Sequence, residues 1–304
     1  MKSLISFEHL ALITEQHQRQ RADALSVLTA GSAPSLDIAD AIQNPHGVLL
    51  LGMGSSHHIN RTAEPYYREL GIYTYATPVT ELLGSPMPRW RGAVILTSQS
   101  GNSAELRQYA DHPSGESKQH FGVTLDPTSF LAQRWPSMIA PGGPELGVVS
   151  TRGFLLGLLL HLLILERLGL SLNGLTEAFQ NEVEFDARSS LPEQLRASNV
   201  VVFIANGTPQ GLAEYAALAL MELMRKPCFA MSTAQYLQSP YAQSSAVLVI
   251  LFTGSELYPV DSSLPASLTE LPQERTPSAM MLIKQLLRIQ NLLLQTAQLP
   301  ERQE

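Results

Sequence analysis

The chain has 304 residues, 44% hydrophobic and 15% charged, which is enough apolar material for one large core or two ordinary ones and too much for disorder to be its main state. With 27 acidic residues against 20 basic ones the formal charge is -7, so the electrostatic footprint of a nucleic-acid binder is missing. The single cysteine, Cys228, can form neither an intramolecular disulfide nor a cysteine zinc cluster; it reads as a small buried apolar residue, and a cytoplasmic location is expected. The first twenty residues lack the apolar run and cleavage site of a signal peptide, so no export signal is expected there.

Residues 3 to 30 carry apolar positions at helical spacing until Gly31-Ser32-Ala33-Pro34 stops the pattern, which predicts a leading amphipathic helix. A second short helix is expected over Leu36 to Gln43. Gly47-Val48-Leu49-Leu50-Leu51 then reads as a buried strand that delivers Gly52-Met53-Gly54-Ser55-Ser56 into a helix. The arrangement repeats with Ala93 to Leu96 as strand, Thr97 to Ser103 as turn and Ala104 to Ala110 as helix. A third strand follows at Phe121 to Leu125. Strands alternating with helices predict an α/β fold with a mostly parallel sheet covered on both faces.

Phe154 to Leu165 is the most apolar stretch, but it is well short of the roughly 20 residues that span a bilayer; it predicts a helix buried in the middle of the protein or between two halves. Ser171 to Leu195 reads as a polar helical linker. The pattern then restarts: Asn199 to Ala205 is a strand, Asn206-Gly207-Thr208 a turn, and Gly211 to Arg225 a helix, with Gly207 equivalent to Gly54. Ala246 to Phe252 is a further strand, residues 254 to 277 a loop rich in Pro, Ser and Glu, and Met280 to Gln298 a closing amphipathic helix.

Thr97-Ser98-Gln99-Ser100-Gly101-Asn102-Ser103 is the most informative stretch. Such a turn presents consecutive backbone N–H groups at a helix N-terminus and surrounds them with hydroxyls, an anion site without Lys or Arg. Phosphate is the natural guest. The plainer alternative is that the serines only cap a helix. Gly54-Ser55-Ser56 ends its strand at the same carboxyl edge of the sheet, where open α/β sheets bind ligands. Gly52-x-Gly54 lacks the third glycine and the later acidic residue of a dinucleotide site, so no nicotinamide cofactor, and no cofactor of any kind, is expected. His57-His58 are adjacent and therefore do not face one another on a helix, so no metal site is expected. His161 reads as a satisfied core histidine.

Three segments in order, Gly54-Ser55-Ser56, Ser98-Gln99-Ser100-Gly101-Asn102-Ser103 and Glu145-Leu146-Gly147-Val148-Val149-Ser150-Thr151-Arg152, resemble the SIS (sugar isomerase) domain proteins. These include the isomerase part of glucosamine-6-phosphate synthase, ketose/aldose isomerases and fructosamine deglycase-like enzymes. The resemblance spans nearly the whole chain, strongly in its first half and loosely in its second. It implies two SIS-type three-layer αβα subdomains, each with a mostly parallel sheet, the second smaller: residues 1–170 with the leading helices, a linker over 171–195, and 196–304. It also implies that Ser98, Gln99, Ser100 and Ser103 hold a sugar phosphate with Ser55 and Ser56 close by. Glu145, Val148 through its backbone and Ser150 through its hydroxyl would lie over the sugar.

The family's general base matches Glu222, which stands eighteen residues before Pro240 and is preferred to Glu214 for that spacing. A buried carboxylate suits proton transfer between C1 and C2 of an open-chain sugar, because burial lifts its pKa toward neutrality. The alternative for Glu222 is a surface pair with Arg225 or Lys226. The chain departs from the synthase-like members at Gln238, where they carry a ring-opening histidine, and at Ala219, where they carry a lysine. Their lysine-bearing tail and glutaminase domain have no match in these residues, so an aminotransferase is not expected. His57 or His58 could supply the missing acid. The expected function is aldose/ketose isomerisation of a sugar phosphate, amino sugars included, or deglycation through an enediol or enolamine. The competing reading is a phosphosugar-binding sensor or regulatory protein without catalysis. A homodimer is expected, with a sugar phosphate as ligand and neither nucleic acid nor membrane as partner.

Overall fold

Val48 to Leu51 and Ala93 to Leu96 are buried at every position, as unbroken apolar runs require of strands covered on both faces. They form the centre of a parallel sheet in a computed structural model, which describes residues 7–30, 34–43, 46–84, 90–112, 119–180, 190–244, 247–253, 256–260 and 276–299. In chain order the first half comprises α1 (Phe7–Ala30), α2 (Pro34–Ile42), β1 (Val48–Gly52), α3 (Ser55–Glu69), β2 (Thr74–Pro78), α4 (Val79–Gly84), β3 (Ala93–Thr97) and α5 (Ala104–Asp111). It continues with β4 (His120–Thr124), α6 (Phe130–Arg134), β5 (Ser137–Ile139) and α7 (Arg152–Arg167). Next come α8 (Leu175–Gln180), α9 (Leu191–Ala197), β6 (Val200–Ile204), α10 (Gln210–Met224), β7 (Cys228–Met231), α11 (Thr233–Gln238), β8 (Val247–Thr253), β9 (Glu256–Val260) and α12 (Ala279–Gln298).

The first sheet has the order β2-β1-β3-β4-β5 and is parallel throughout. The second has the order β7-β6-β8-β9, with β6, β7 and β8 parallel and β9 antiparallel to β8. Both sheets therefore start 2-1-3, and in each the chain reverses its direction of growth between the first and third strands. This is the topological switch point at which doubly wound sheets bind ligands. The fold is the expected α/β pair of sheets, the second smaller by one strand among the described residues.

One expectation is corrected. Residues 254 to 277 were to be a loop, but Glu256 to Val260 form β9, with Pro259 opposite Ile250. Proline lacks an N–H for the ladder and is tolerated there because β9 is the last strand of its sheet. Residues 261–275, the rest of that loop but for its last two, lie outside the described residues, as do 254–255 and Ala246 from the expected strand.

α7 is buried from Arg152 to Leu165. A single apolar core runs through it, joining Leu50 and Ile95 of the first sheet to Val201, Phe203 and Ile250 of the second. The apolar helix expected between the halves is thus the element on which both pack. Arg152, fully buried, is neutralised by Asp23 at 3.1 Å and donates to Gln16 at 2.7 Å and to the carbonyls of Pro141, Gly142 and Gly143. That network ties α1 to the segment leading from β5 into α7.

Candidate functional site

The chain turns sharply after β1, and Gly54 takes φ +52, a left-handed conformation that favours glycine. Ser55 and Ser56 follow as the first residues of α3. After β3, Ser98 N–H donates to Val123 O at 2.9 Å, and the Gly101 N–H folds back onto Ser98 O and Oγ, both at 3.1 Å. Gly101, at φ +60, lies so close to the Ser129 hydroxyl that a Cβ would strike it. Ser103 caps α5 in extended conformation without spending its hydroxyl on the helix.

The two turns face each other at the switch point and border a cleft of about 240 Å³. All six residues expected on the phosphate, Ser55, Ser56, Ser98, Gln99, Ser100 and Ser103, line it, together with Val148 and Ser150. No Lys or Arg is among the described residues that line it. The anion-attracting groups are hydroxyls, turn amides and the N-terminal ends of α3 and α5.

Glu145 is placed differently from Val148 and Ser150. Its carboxylate turns away from the cleft and accepts from Thr151 N at 2.9 and 3.0 Å, Gly153 N at 2.7 Å and Thr151 Oγ1 at 2.7 Å, capping the first turn of α7. Ser150 Oγ reaches the same carboxylate at 3.4 Å. Gln99 grips the backbone of Glu145 with both ends of its amide, accepting from the N–H at 2.9 Å and donating to the carbonyl at 3.4 Å. The turn and the segment above it are therefore latched together. Two further donors hold that segment from the second half: Tyr215 OH to Ser150 O at 2.7 Å and Gln290 Nε2 to Thr151 O at 2.7 Å.

α10 packs on α3 with Gly211 against Thr62, and its Glu214 lies 3.4 Å from His58 Nδ1 and 3.5 Å from Arg61 Nε. Burial pushes the Glu214 carboxyl up, but the His58 contact and the Arg61 charge outweigh it and hold the group below its ordinary range. His57 has its pKa lowered to about 4, mainly by burial and further by His58 beside it, and is neutral near pH 7. Neither histidine lines the cleft.

Because Gly211 faces Thr62 and Glu214 faces His58, the helices run antiparallel. Glu222 stands eight residues on from Glu214, about 12 Å further along α10 in the direction of the α3 N-terminus. It is not itself among the cleft-lining residues. Its carboxyl is pushed up to about 7 by burial, and Oε2 is buried without a hydrogen-bond partner. The surface pair with Arg225 or Lys226 is not formed: Lys226 Nζ donates to the carbonyls of Leu195, Arg196 and Ser198, and Arg225 ends the helix in the left-handed region at φ 52.

Under the cleft lies a polar chain that the sequence did not indicate. Thr97, a floor residue, donates to Asn60 Oδ1 at 2.7 Å and so spends its one proton; it must accept from His161 Nε2–H at 2.9 Å, which leaves Nδ1 to accept from Tyr67 OH at 3.1 Å. His161 is a satisfied core histidine, as expected, with its pKa lowered to about 3 by burial.

No protein-family model matches this chain, and no curated protein sequence matches it. Solved structures do. Glucosamine-6-phosphate deaminase from Thermotoga maritima superposes with TM-score 0.70 at 22% identity, over 95% of this chain and 93% of that one. The C-terminal domain of glucosamine-fructose-6-phosphate aminotransferase from Francisella tularensis gives 0.69 at 14%, over 94% and 96%. Tagatose-6-phosphate ketose/aldose isomerase from Escherichia coli gives 0.69 at 15%, over 94% and 92%. The fold of this chain is the two-sheet, SIS-type fold that the motifs led one to expect.

Proposed function

We propose that the protein is an enzyme acting on a sugar phosphate, an aldose/ketose isomerase or a deglycase, with the phosphate held by Ser98, Gln99, Ser100, Ser103, Ser55 and Ser56. The observation that carries this reading is the cleft itself: two serine-bearing turns converge at a switch point, with two helix N-termini and no Lys or Arg among the described lining residues. Proteins of the same fold that are named for phosphosugar isomerase and deaminase chemistry support it.

Glu222 is the proposed base. A carboxyl with pKa about 7 is half ionised near neutrality, so it can take a proton from C1 or C2 and return it to the other carbon. Val148 and Ser150 would sit over the sugar, with Glu145 supporting them. Of the two histidines expected to act here, His58, paired with Glu214, would supply the acid that Gln238 cannot, whereas His57, neutral near pH 7, would only accept a proton. No step calls for a cofactor. We read the chain as two subdomains, 1–170 and 196–304, joined by 171–195, and as a homodimer. Leu146 and Val148 are 73% and 50% exposed beside the cleft, and burial of such apolar rims is what a second copy would offer.

The test is solvent-deuterium incorporation at C1 or C2 of fructose 6-phosphate, read by NMR with native protein and Glu222→Gln. Exchange by the native protein that disappears in the variant supports the reading. Binding without exchange, for every sugar phosphate and glycated amine tried, would favour a non-catalytic sensor, a reading motivated by Gln238 and by Glu222 standing off the cleft wall.

A further inference from the structure

The cleft and the proposed base come from different halves of the chain, so something must fix one against the other. Glu222 rides on α10, which belongs to the second sheet; the Ser98 to Ser103 turn belongs to the first. Tyr215 is fully buried on α10, seven residues before Glu222, which puts the two on the same helix face two turns apart. Its ring stacks on Phe154 of α7 with centroids 3.9 Å apart, and its hydroxyl donates to Ser150 O at 2.7 Å. The Tyr215 hydroxyl is held well above its ordinary pKa by burial, against a hydrogen bond with Gln290 and with the charges of Glu145 and Glu222 adding to it, so it remains a proton donor and both carboxylates are within its electrostatic reach.

We infer that Tyr215 is the positioning residue that registers the Glu222 helix against the segment over the cleft, through the Tyr215–Ser150 hydrogen bond and the Glu145–Gln99 latch below it. This inference rests on the reading of Glu222 as base. The path is continuous: Gln99 of the phosphate turn holds the Glu145 backbone, the Glu145 carboxylate holds Thr151 and Gly153, Ser150 O takes the Tyr215 proton, and α10 carries Glu222. Gln290 reaches both the neighbouring Thr151 carbonyl and the Tyr215 hydroxyl from α12 and so belongs to the same latch; Tyr66, whose hydroxyl donates to Pro277 O at 2.9 Å away from that path, serves as the comparator.

Tyr215→Phe keeps the stacked ring and removes only the donor. With fructose 6-phosphate as probe, the variant should bind with its dissociation constant within about 2-fold of native, while its exchange rate falls by about 10²-fold, the effect of a reacting group misplaced by about 1 Å. Independently of turnover, 13C-NMR titration of Glu222 should move from about 7 toward the ordinary 4.5 in Tyr215→Phe as the carboxyl gains water, and stay near 7 in Tyr66→Phe. Equal midpoints in native protein and Tyr215→Phe, or equal displacement in both variants, would overturn the inference. Native protein that shows no exchange would refute the catalytic reading instead, and the titration would still decide the positioning role.

Discussion

The β1–α3 turn and the β6–α10 turn are the same device built twice, yet only the first borders the serine-lined cleft. Both follow the first strand of a 2-1-3 sheet, and both turn on a glycine of positive φ, Gly54 at +52 and Gly207 at +68. After β6 the side chains satisfy one another: Asn206 donates to Thr233 Oγ1 at 2.6 Å and accepts from its N–H at 3.1 Å, and Thr208 reaches Thr276 at 3.4 Å. After β1, Ser55 and Ser56 instead face the turn of β3 across open space. A repeated backbone thus provides the opportunity for an anion site. Whether it becomes one depends on whether the polar groups are left for a guest or spent on each other.

The comparison can be sharpened by removing groups from each side. The largest effect is expected from Glu222→Gln, which should cut deuterium exchange by about 10²–10⁴-fold while sugar-phosphate affinity, measured by calorimetry, holds. Next comes Ser100→Ala, which removes a hydroxyl lining the cleft and should weaken fructose 6-phosphate by about tenfold to 10²-fold, the worth of a hydrogen bond to a charged group. Glu145→Ala should destabilise the protein by about 1–2 kcal/mol through loss of the α7 cap, seen as a lower denaturation midpoint, and raise KM by slackening the segment that carries Ser150.

The pH dependence distinguishes the cleft side from its floor. Burial raises Glu222 from 4.5 to about 7, so between those values the native chain holds a proton that the unfolded chain releases, and stability falls as pH rises; Glu222→Gln should flatten that slope. His57 and His161 are depressed from 6.5 to about 4 and about 3, so there the unfolded chain holds the extra protons and stability is lost as pH falls below 6.5. Thermal melting of native protein and Glu222→Gln from pH 3 to pH 8 reads both slopes. A pH 5–8 limb that is identical in the two proteins would contradict the buried, raised carboxyl.

Much of this was legible in the residues. Uninterrupted apolar runs announced β1, β3, β6 and β8, and the glycine and serine turns after β1 and β3 announced where the cleft opens. Three unforeseen strands, Thr74 to Pro78, Ser137 to Ile139 and Cys228 to Met231, stand at sheet edges and are too short, at three to five residues, for a period to show. In Glu256 to Val260 the proline and glutamate disguised an edge strand. Six of the eight cleft-lining residues expected from the motifs stand on the turns that follow β1 and β3, where the strand pattern marked them; Val148 and Ser150, well past β5, were found through the motif that precedes α7. The chain from Thr97 to His161 spans 64 positions and that from Ser150 to Tyr215 spans 65, and contacts that far apart leave no local pattern. Glu145 was expected at the sugar because its spacing to Ser150 is a motif; that its carboxylate caps α7 became visible only with the backbone in place.

The most direct measurement is a 31P-NMR titration of fructose 6-phosphate against native protein, Ser98→Ala/Ser100→Ala and Thr208→Val, run side by side. The account predicts saturable binding to the native protein, loss of that binding in the double variant, and native affinity in Thr208→Val. Equal affinity in all three proteins, or a loss confined to Thr208→Val, would contradict the assignment of the phosphate to the first sheet.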